Sequence, residues 1–340
     1  MKNLLDKVNK KYIITLTVCI VAALLFGALG NARLIGNTIE KAMSLCLLGL
    51  ATAIGARGGL FNVGGEGQLF FGALVSTMIG LTFSDLPAII VIPIAFIGAV
   101  VVGGFYAWIP AMLKVKLGVS EVITTIMLNT VSIKVCTYLV NGPWVASTMA
   151  TTKGTDYLPD TLRFADIIKS SNLSTGFFAG AVVVFMVWYV MNMTSQGLQM
   201  KVTGENRRFA IFSGLPADKI MVASMVASGA ICGFVGMLLV YGYQGHMTDG
   251  VSNEFYFDGL LVAMIMNYNP VGIIIMSFFF AILSTGSTMM DMTVGISAQL
   301  YDIIFSVIIF LMAAQSGFTH WYTARKTKKL AAKANTGKEA

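Results

Sequence analysis

Five carboxylates stand within or at the edges of apolar stretches: Glu66, Glu121, Asp258, Asp291 and Asp302. An acid in a hydrocarbon environment is costly unless it faces a cavity or finds a partner. Each therefore marks a polar path or relay, or else sits at a helix end in the headgroup region. The most unusual of these settings is "GLFNVGGEGQ" at 59–68, where Glu66 stands with Asn62 and Gln68 among glycines. The stretch from Gly58 to Val63 cannot easily continue a helix. Backbone that leaves a helix at membrane depth is tolerated only when buried in protein or lining a water-filled cavity. Asn62, Glu66 and Gln68 then either satisfy the freed backbone or meet a solute.

Enzyme chemistry has little to build on. The chain carries neither a G-x-x-x-x-G-K-[ST] phosphate loop nor an H-E-x-x-H zinc motif, and only two histidines, His246 and His320. His246 lies in the polar segment "GYQGHMTDG" and reads as a solvated loop residue. Cys19, Cys46, Cys136 and Cys232 stand singly in apolar runs without C-x-x-C spacing, the pattern of small buried hydrophobes rather than of metal ligands or a disulfide.

The surrounding composition explains why. Hydrophobic residues make up 56% of the chain and charged residues only 11%, against about a quarter charged in soluble domains. This is a membrane protein. Its net charge of +7 comes from Lys and Arg dispersed between apolar runs and gathered near the termini, which fits positive-inside topology and not nucleic-acid binding.

Uninterrupted apolar runs require helices rather than a barrel. The expected fold is an all-α polytopic bundle with about ten spans, near 12–30, 40–56, 68–83, 87–109, 119–140, 176–194, 220–242, 257–268, 270–290 and 298–317. An eight-span arrangement that merges short segments is the alternative. The first run is too long for the core of a signal peptide and is read as a transmembrane helix entering from the cytoplasm. With ten crossings, the basic groups at Lys2–Lys11, Lys114–Lys116, Lys201–Lys219 and the tail 321–340 all fall inside, with both termini cytoplasmic. Lys134 lies late in its span and can snorkel outward. The "SMVASGAICGF" run spaces Ser224 and Ser228, and Gly229 and Gly233, four apart, for close helix packing.

Two loops follow from this topology within what reads as a single transmembrane domain. Residues 141–175 form a long, nearly neutral extracytoplasmic loop that includes Trp144. Residues 195–219 form a basic cytoplasmic loop, in which a short helix is expected over 205–213. Glu205 suits its positive N-terminal end, Gly214 a left-handed C-terminal position, and Pro216 blocks continuation. Phe209 and Phe212, three apart, share a face that invites a soluble partner or, beside Arg207 and Arg208, anionic lipid.

Four ordered blocks, "GLFNVGGEGQ" at 59–68, "GVSEVITTIMLN" at 118–129, "GENRRFAIFSGL" at 204–215 and "FDGLLVAMIMNYNPVG" at 257–272, resemble permease subunits of ATP-binding-cassette (ABC) importers. The resemblance is to the branched-chain amino acid and ribose superfamily, in its nucleoside and simple-sugar branch. It implies a ten-helix, type II importer permease that pairs with a second homologous permease, a cytoplasmic ABC ATPase and an extracytoplasmic substrate-binding lipoprotein in the plasma membrane. No cofactor is implied on this chain; ATP and magnesium belong to the ATPase. The internal loop becomes the coupling segment, carried by Gly204, Glu205, Asn206, Arg207, Arg208, Phe209, Ala210, Phe212 and Gly214. Phe209 stands where the family pattern has Ala and Ile211 where it has Arg, so Arg207 or Arg208 would supply that charge. Asn62, Glu66, Gln68, Asn129 and Asp258 are the candidate pathway or broken-helix residues. An ion-coupled secondary transporter using Glu66 or Asp258 as a carboxylate relay is the competing reading, which leaves the cytoplasmic helix without a purpose.

Overall fold

The computed structural model describes residues 22–146, 154–295, 297, 299, 301–307 and 310. Among them are helices and loops with two isolated β-bridges and no strand. The elements are α1 (Ala32–Arg57), α2 (Gly65–Thr82), α3 (Ala88–Leu117), α4 (Glu121–Asn141), α5 (Gly176–Met193), α6 (Ser195–Glu205), α7 (Arg207–Phe212), α8 (Ala217–Leu239), α9 (Phe255–Ile265) and α10 (Pro270–Val294). Local chemistry sets many of their ends. Asn31 caps α1 by accepting from the Leu34 amide at 2.9 Å. α3 stops at Gly118, whose φ of +70° is left-handed, and Lys114 in its last turn pairs with Glu121 at the start of α4 at 2.9 Å. Glu121 is thus occupied by an ion pair at a helix junction. α10 opens with Asn269 as cap and Pro270 in its first turn.

Six described helices are long and apolar enough to cross a membrane: α1, α3, α4, α5, α8 with its π-helical extension to Gln244, and α10. Ten were expected. The span placed at 68–83 is α2, whose first turn carries Glu66 and Gln68 and which is buried along most of its length. The span at 257–268 is the 11-residue α9, about 16 Å long against about 30 Å of hydrocarbon, so it cannot cross alone. The spans at 12–30 and 298–317 lie largely outside the described residues, although 22–29 and 301–307 are helical.

α8 is the central post, packed against α1, α2 and α3. Its approach to α2 and α3 is set by glycines. A Cβ at Gly233 would lie 2.2 Å from the Ala99 carbonyl oxygen, and one at Gly103 would lie 2.4 Å from the Gly229 carbonyl oxygen. This is the packing that the Gly229/Gly233 spacing promised. α4 and α5 are peripheral and present apolar side chains outward, such as Met127, Val131, Phe178 and Phe185.

The glycine contacts give a stability test. Gly233→Val should force α8 from α3 and lower stability by about 1–3 kcal/mol, read as a fall in the thermal midpoint of the detergent-purified protein. Gly250→Ala, in a loop where the nearest atom to a new Cβ is 3.6 Å away, should leave the midpoint unchanged.

Candidate functional site

The chain leaves α1 at Gly58 and turns at Gly59, where φ is +91°. It then doubles back through Leu60–Gly64, and the Leu60 amide donates to the Gly55 carbonyl at 3.1 Å. The Tyr256 hydroxyl donates to the Asn62 carbonyl and receives a bond from Thr52 at 3.3 Å. The returning strand therefore climbs to the level of Thr52, five residues or about 8 Å inside the end of α1. α2 starts there, within the bundle.

Asn62 is fully buried and uses its whole amide. Its Nδ2 donates to Gln68 Oε1 at 2.8 Å and to Ser228 Oγ at 2.9 Å, and its Oδ1 accepts from the Gly64 amide at 3.0 Å and from Gln68 Nε2 at 3.2 Å. Asn129, on α4, accepts from the Gly67 amide through Oδ1. Two of the amides that α2 would otherwise leave orphaned are thus held by side chains.

Glu66 joins this start to a second one. One carboxylate oxygen accepts from the Ser252 hydroxyl, and the other accepts from the Tyr256 amide, in the first turn of α9, at 3.2 Å. The carboxylate, only 3% exposed, therefore lies against the first turns of both α2 and α9, where helix dipoles favour negative charge. Asn62, Glu66, Gln68 and Asn129 form one buried network.

Asp258 does not belong to it. One turn into α9, its carboxylate accepts from the Tyr301 hydroxyl at 3.0 Å. Nearby, on α1, Lys41 donates to Ser284 at 3.1 Å, while Glu40 accepts from Ser44 at 3.1 Å. Glu40 and Lys41 are half-buried charges missed in the sequence, where they read as the mouth of a span. Ser228, Ser252 and Tyr256 were missed too, since hydroxyls in apolar runs give no local signal of a distant partner. Asp291 and Asp302 are exposed. His246 packs on Tyr157 with ring centres 4.3 Å apart and planes tilted by 54°, and contacts the Gln244 carbonyl at 3.0 Å through Nδ1, so it is a packed rather than a free loop residue.

The second cluster lies at the Arg57 end of α1. The short helix expected over 205–213 is α7, which starts two residues later because Asn206, at φ −153°, breaks the chain after α6 and caps α7 by accepting from the Phe209 amide at 3.0 Å. Glu205 ends α6 instead of opening α7, and pairs loosely with Lys201 at 4.0 Å. Gly214 is left-handed, with φ +79°. Arg207 bonds Asp218 of α8 at 2.6 Å, and Ala210 is buried. Phe209 and Phe212 are 59% and 90% exposed, an unburied aromatic face; Arg208 is also exposed. A Cβ at Gly204 would lie 2.4 Å from the Arg57 carbonyl oxygen, so α6 rests directly on the turn that begins the helix break.

Residues 34–313 match the family described as the permease component of the branched-chain amino acid transport system. The nucleoside ABC transporter permease protein NupB of Lactococcus lactis subsp. cremoris is 30% identical over 86% of this chain and 82% of its own length. The guanosine ABC transporter permease protein NupP of Bacillus subtilis is 30% identical over 91% and 88%. In fold alone, PsaBC from Streptococcus pneumoniae, solved with a Fab, superposes with a TM-score of 0.50 at 15% identity, over 86% of this chain and 94% of that one.

The network makes a directional prediction. Glu66→Gln keeps an acceptor for one of its two donors and should retain part of the transport activity and fold, whereas Glu66→Leu strands both and should cost about 1–3 kcal/mol or more. Membrane abundance and thermal midpoint check this; a Leu variant with wild-type stability would show that the carboxylate does not hold α2 to α9.

Proposed function

The chain belongs to the permease-component family of the branched-chain amino acid transport system, and from that premise we propose that it is the membrane-spanning permease subunit of an ABC importer for nucleosides. The carrying observation is the similarity, over most of both chains, to permeases named for nucleoside and guanosine transport. Related simple sugars are the neighbouring substrate class. ATP and magnesium act on a separate ATPase. Both termini cytoplasmic, a second homologous permease and an extracytoplasmic binding lipoprotein complete the reading, supported by the four sequence blocks and the placement of basic loops.

In this arrangement α6 and α7 form the coupling segment on the cytoplasmic side. Phe209 and Phe212 supply the apolar face for the ATPase, while Asn206, Gly214 and the Arg207–Asp218 pair fix the direction in which that face points. Movement of this segment reaches the interior through Gly204 against the Arg57–Gly59 turn. The network around Glu66 acts chiefly as the support of the broken helix, with the solute path alongside it. Outside, residues 154–175 fold onto the loop after α8, with Thr155 and Met247 bonded to each other at 3.0 and 3.1 Å, and offer Tyr157, 58% exposed, to the binding protein. Trp144 is half-buried against the core.

The ion-coupled reading is separated by energy source. Nucleoside uptake in cells lacking this chain should return only when the chain is supplied together with its ATPase and binding protein. Uptake that follows a proton or sodium gradient without any ATPase would overturn the proposal. Docking is tested separately. Phe212→Asp and Gly214→Val should each reduce recovery of the ATPase in a pull-down by about tenfold, the scale of a lost interface hot spot, at equal membrane abundance. Full recovery with both would leave the aromatic face to lipid.

A further inference from the structure

Two hollows on this protein lie next to each other, both bordered by α1 and α5 and meeting at the start of α10. The first is a groove of about 460 Å³ between α1, α5 and α10, lined entirely by nonpolar side chains, among them Met43, Ala181, Phe185, Trp188, Val271 and Phe278. Phe185 and Phe278, at its rim, are 63% and 42% exposed, so the groove opens to the side of the bundle. The second is a polar cleft of about 800 Å³ at the Arg57 end of α1, which takes in Arg57, Asn192, Lys201 and Asn269. Trp188 of the groove and Asn192 of the cleft are one helical turn apart on α5, and Val271 of the groove follows Asn269 of the cleft by two residues. The apolar slot and the polar chamber are thus neighbours at the end of α5.

The charges favour an anion in that chamber. The Arg57 guanidinium is half-buried, has no ion-pair partner among the described residues and reaches only the Met191 carbonyl, at 3.5 Å. Lys201 is shared only loosely with Glu205, at 4.0 Å; both side chains are well exposed, and Glu205 is the one acid lining the cleft. A basic pocket between spanning helices at the cytoplasmic surface suits a lipid phosphate, and an apolar groove in the membrane suits an acyl chain. A soluble anion would use the cleft and leave the groove without purpose; a helix of another subunit would fill the groove and leave the cleft.

We propose that the groove and cleft together are a binding site for one anionic phospholipid of the inner leaflet, its phosphate near Arg57 and Lys201 and an acyl chain along α5 between Trp188 and Phe185. The site adjoins Gly204 and Glu205 at the end of α6, so the bound lipid braces the coupling segment against α1 and the α9–α10 turn. The placement in the inner leaflet rests on the sidedness proposed above; binding to the solubilised protein reads the site whatever that sidedness is.

The test is native mass spectrometry of the full chain, alone and assembled with its second permease, titrated with dioleoyl phosphatidylglycerol, dioleoyl phosphatidylcholine or glycerol 1-phosphate. The expected result is one tightly held phosphatidylglycerol, preferred over phosphatidylcholine by about thirtyfold, as two surface cations would give. The double variant Arg57→Gln/Lys201→Gln should abolish the preference, and Ala181→Trp, which fills the groove, should remove both lipids. Wild-type elution and thermal midpoint are required of each variant, and Ala181→Phe with Lys201→Gln alone repeats the test should either fail to fold. Equal binding of the two lipids, or adducts indifferent to the groove-filling variant, would overturn the proposal. Full competition by glycerol 1-phosphate would assign the cleft to a soluble anion, and loss of the lipid on permease assembly would assign the groove to a protein interface; both also overturn it.

Discussion

A length of non-helical backbone inside a bundle of membrane helices must find every hydrogen bond within the protein, because hydrocarbon offers none. The stretch from Gly58 to Gly64 imposes that constraint, and much of the architecture answers it. Asn62, Asn129 and Glu66 supply acceptors to the amides of Gly64, Gly67 and Tyr256, while Tyr256 donates its hydroxyl to the Asn62 carbonyl. These partners come from α2, α4, α9 and the break itself, and Asn62 also reaches α8 through Ser228. One interruption therefore fixes the relative positions of α1, α2, α4, α8 and α9. The glycines of α2, α3 and α8 then permit the close approach without which these short side chains could not meet.

The same interruption sits next to the segment that faces outward at the Arg57 end. Gly58 packs against Ser224 of α8, and Gly59 against Gly204 of α6, so closely that a methyl group at Gly58 would collide with the Ser224 side chain. Between Gly59 and Gly204 the contact is backbone against backbone, which leaves no flexible side chain to absorb a displacement. If α6 and α7 couple to an ATPase as proposed, a push on them would bear directly on the turn of the break and the base of α2, without any long-range pathway being required. This contiguity is a physical reason for a broken helix and a surface helix to occur in one chain.

Much of this was legible in the residues. Glycines around Asn62, Glu66 and Gln68 announced a break, and Gly214 before Pro216 announced a left-handed helix end. Both signals are local, which is why they could be read. The start of α7 was placed two residues early because Asn206, three residues before Phe209, competes for the backbone as a cap, while Glu205 also suits a helix N-terminus. The α9 helix was drawn as a span because its composition is fully apolar; only its 11-residue length and its start against Glu66 show that it begins within the bundle. Partners separated by more than a hundred residues, such as Asn62 with Ser228 or Glu66 with Ser252, have no signature in either neighbourhood. Hydroxyl residues in apolar helices are common enough that nothing distinguishes those two.

The geometry around Glu66 also bears on how a carboxylate at such depth can be useful. A relay that carries protons or ions must exchange partners during its cycle and must therefore be reached by water or solute. Glu66 is almost wholly covered, and each of its oxygens is engaged by a donor that belongs to the α9 entry. Releasing the carboxylate would leave the Tyr256 amide and the Ser252 hydroxyl without acceptors in a place where each loss costs about 1–3 kcal/mol. The bonds that make Glu66 a good clamp make it a poor relay, and Asp258, tied to Tyr301 on the far side of α9, is not part of its network. Energy for moving a solute is then more naturally delivered from outside the bundle, through the exposed aromatic face of α7, than generated by titration within it.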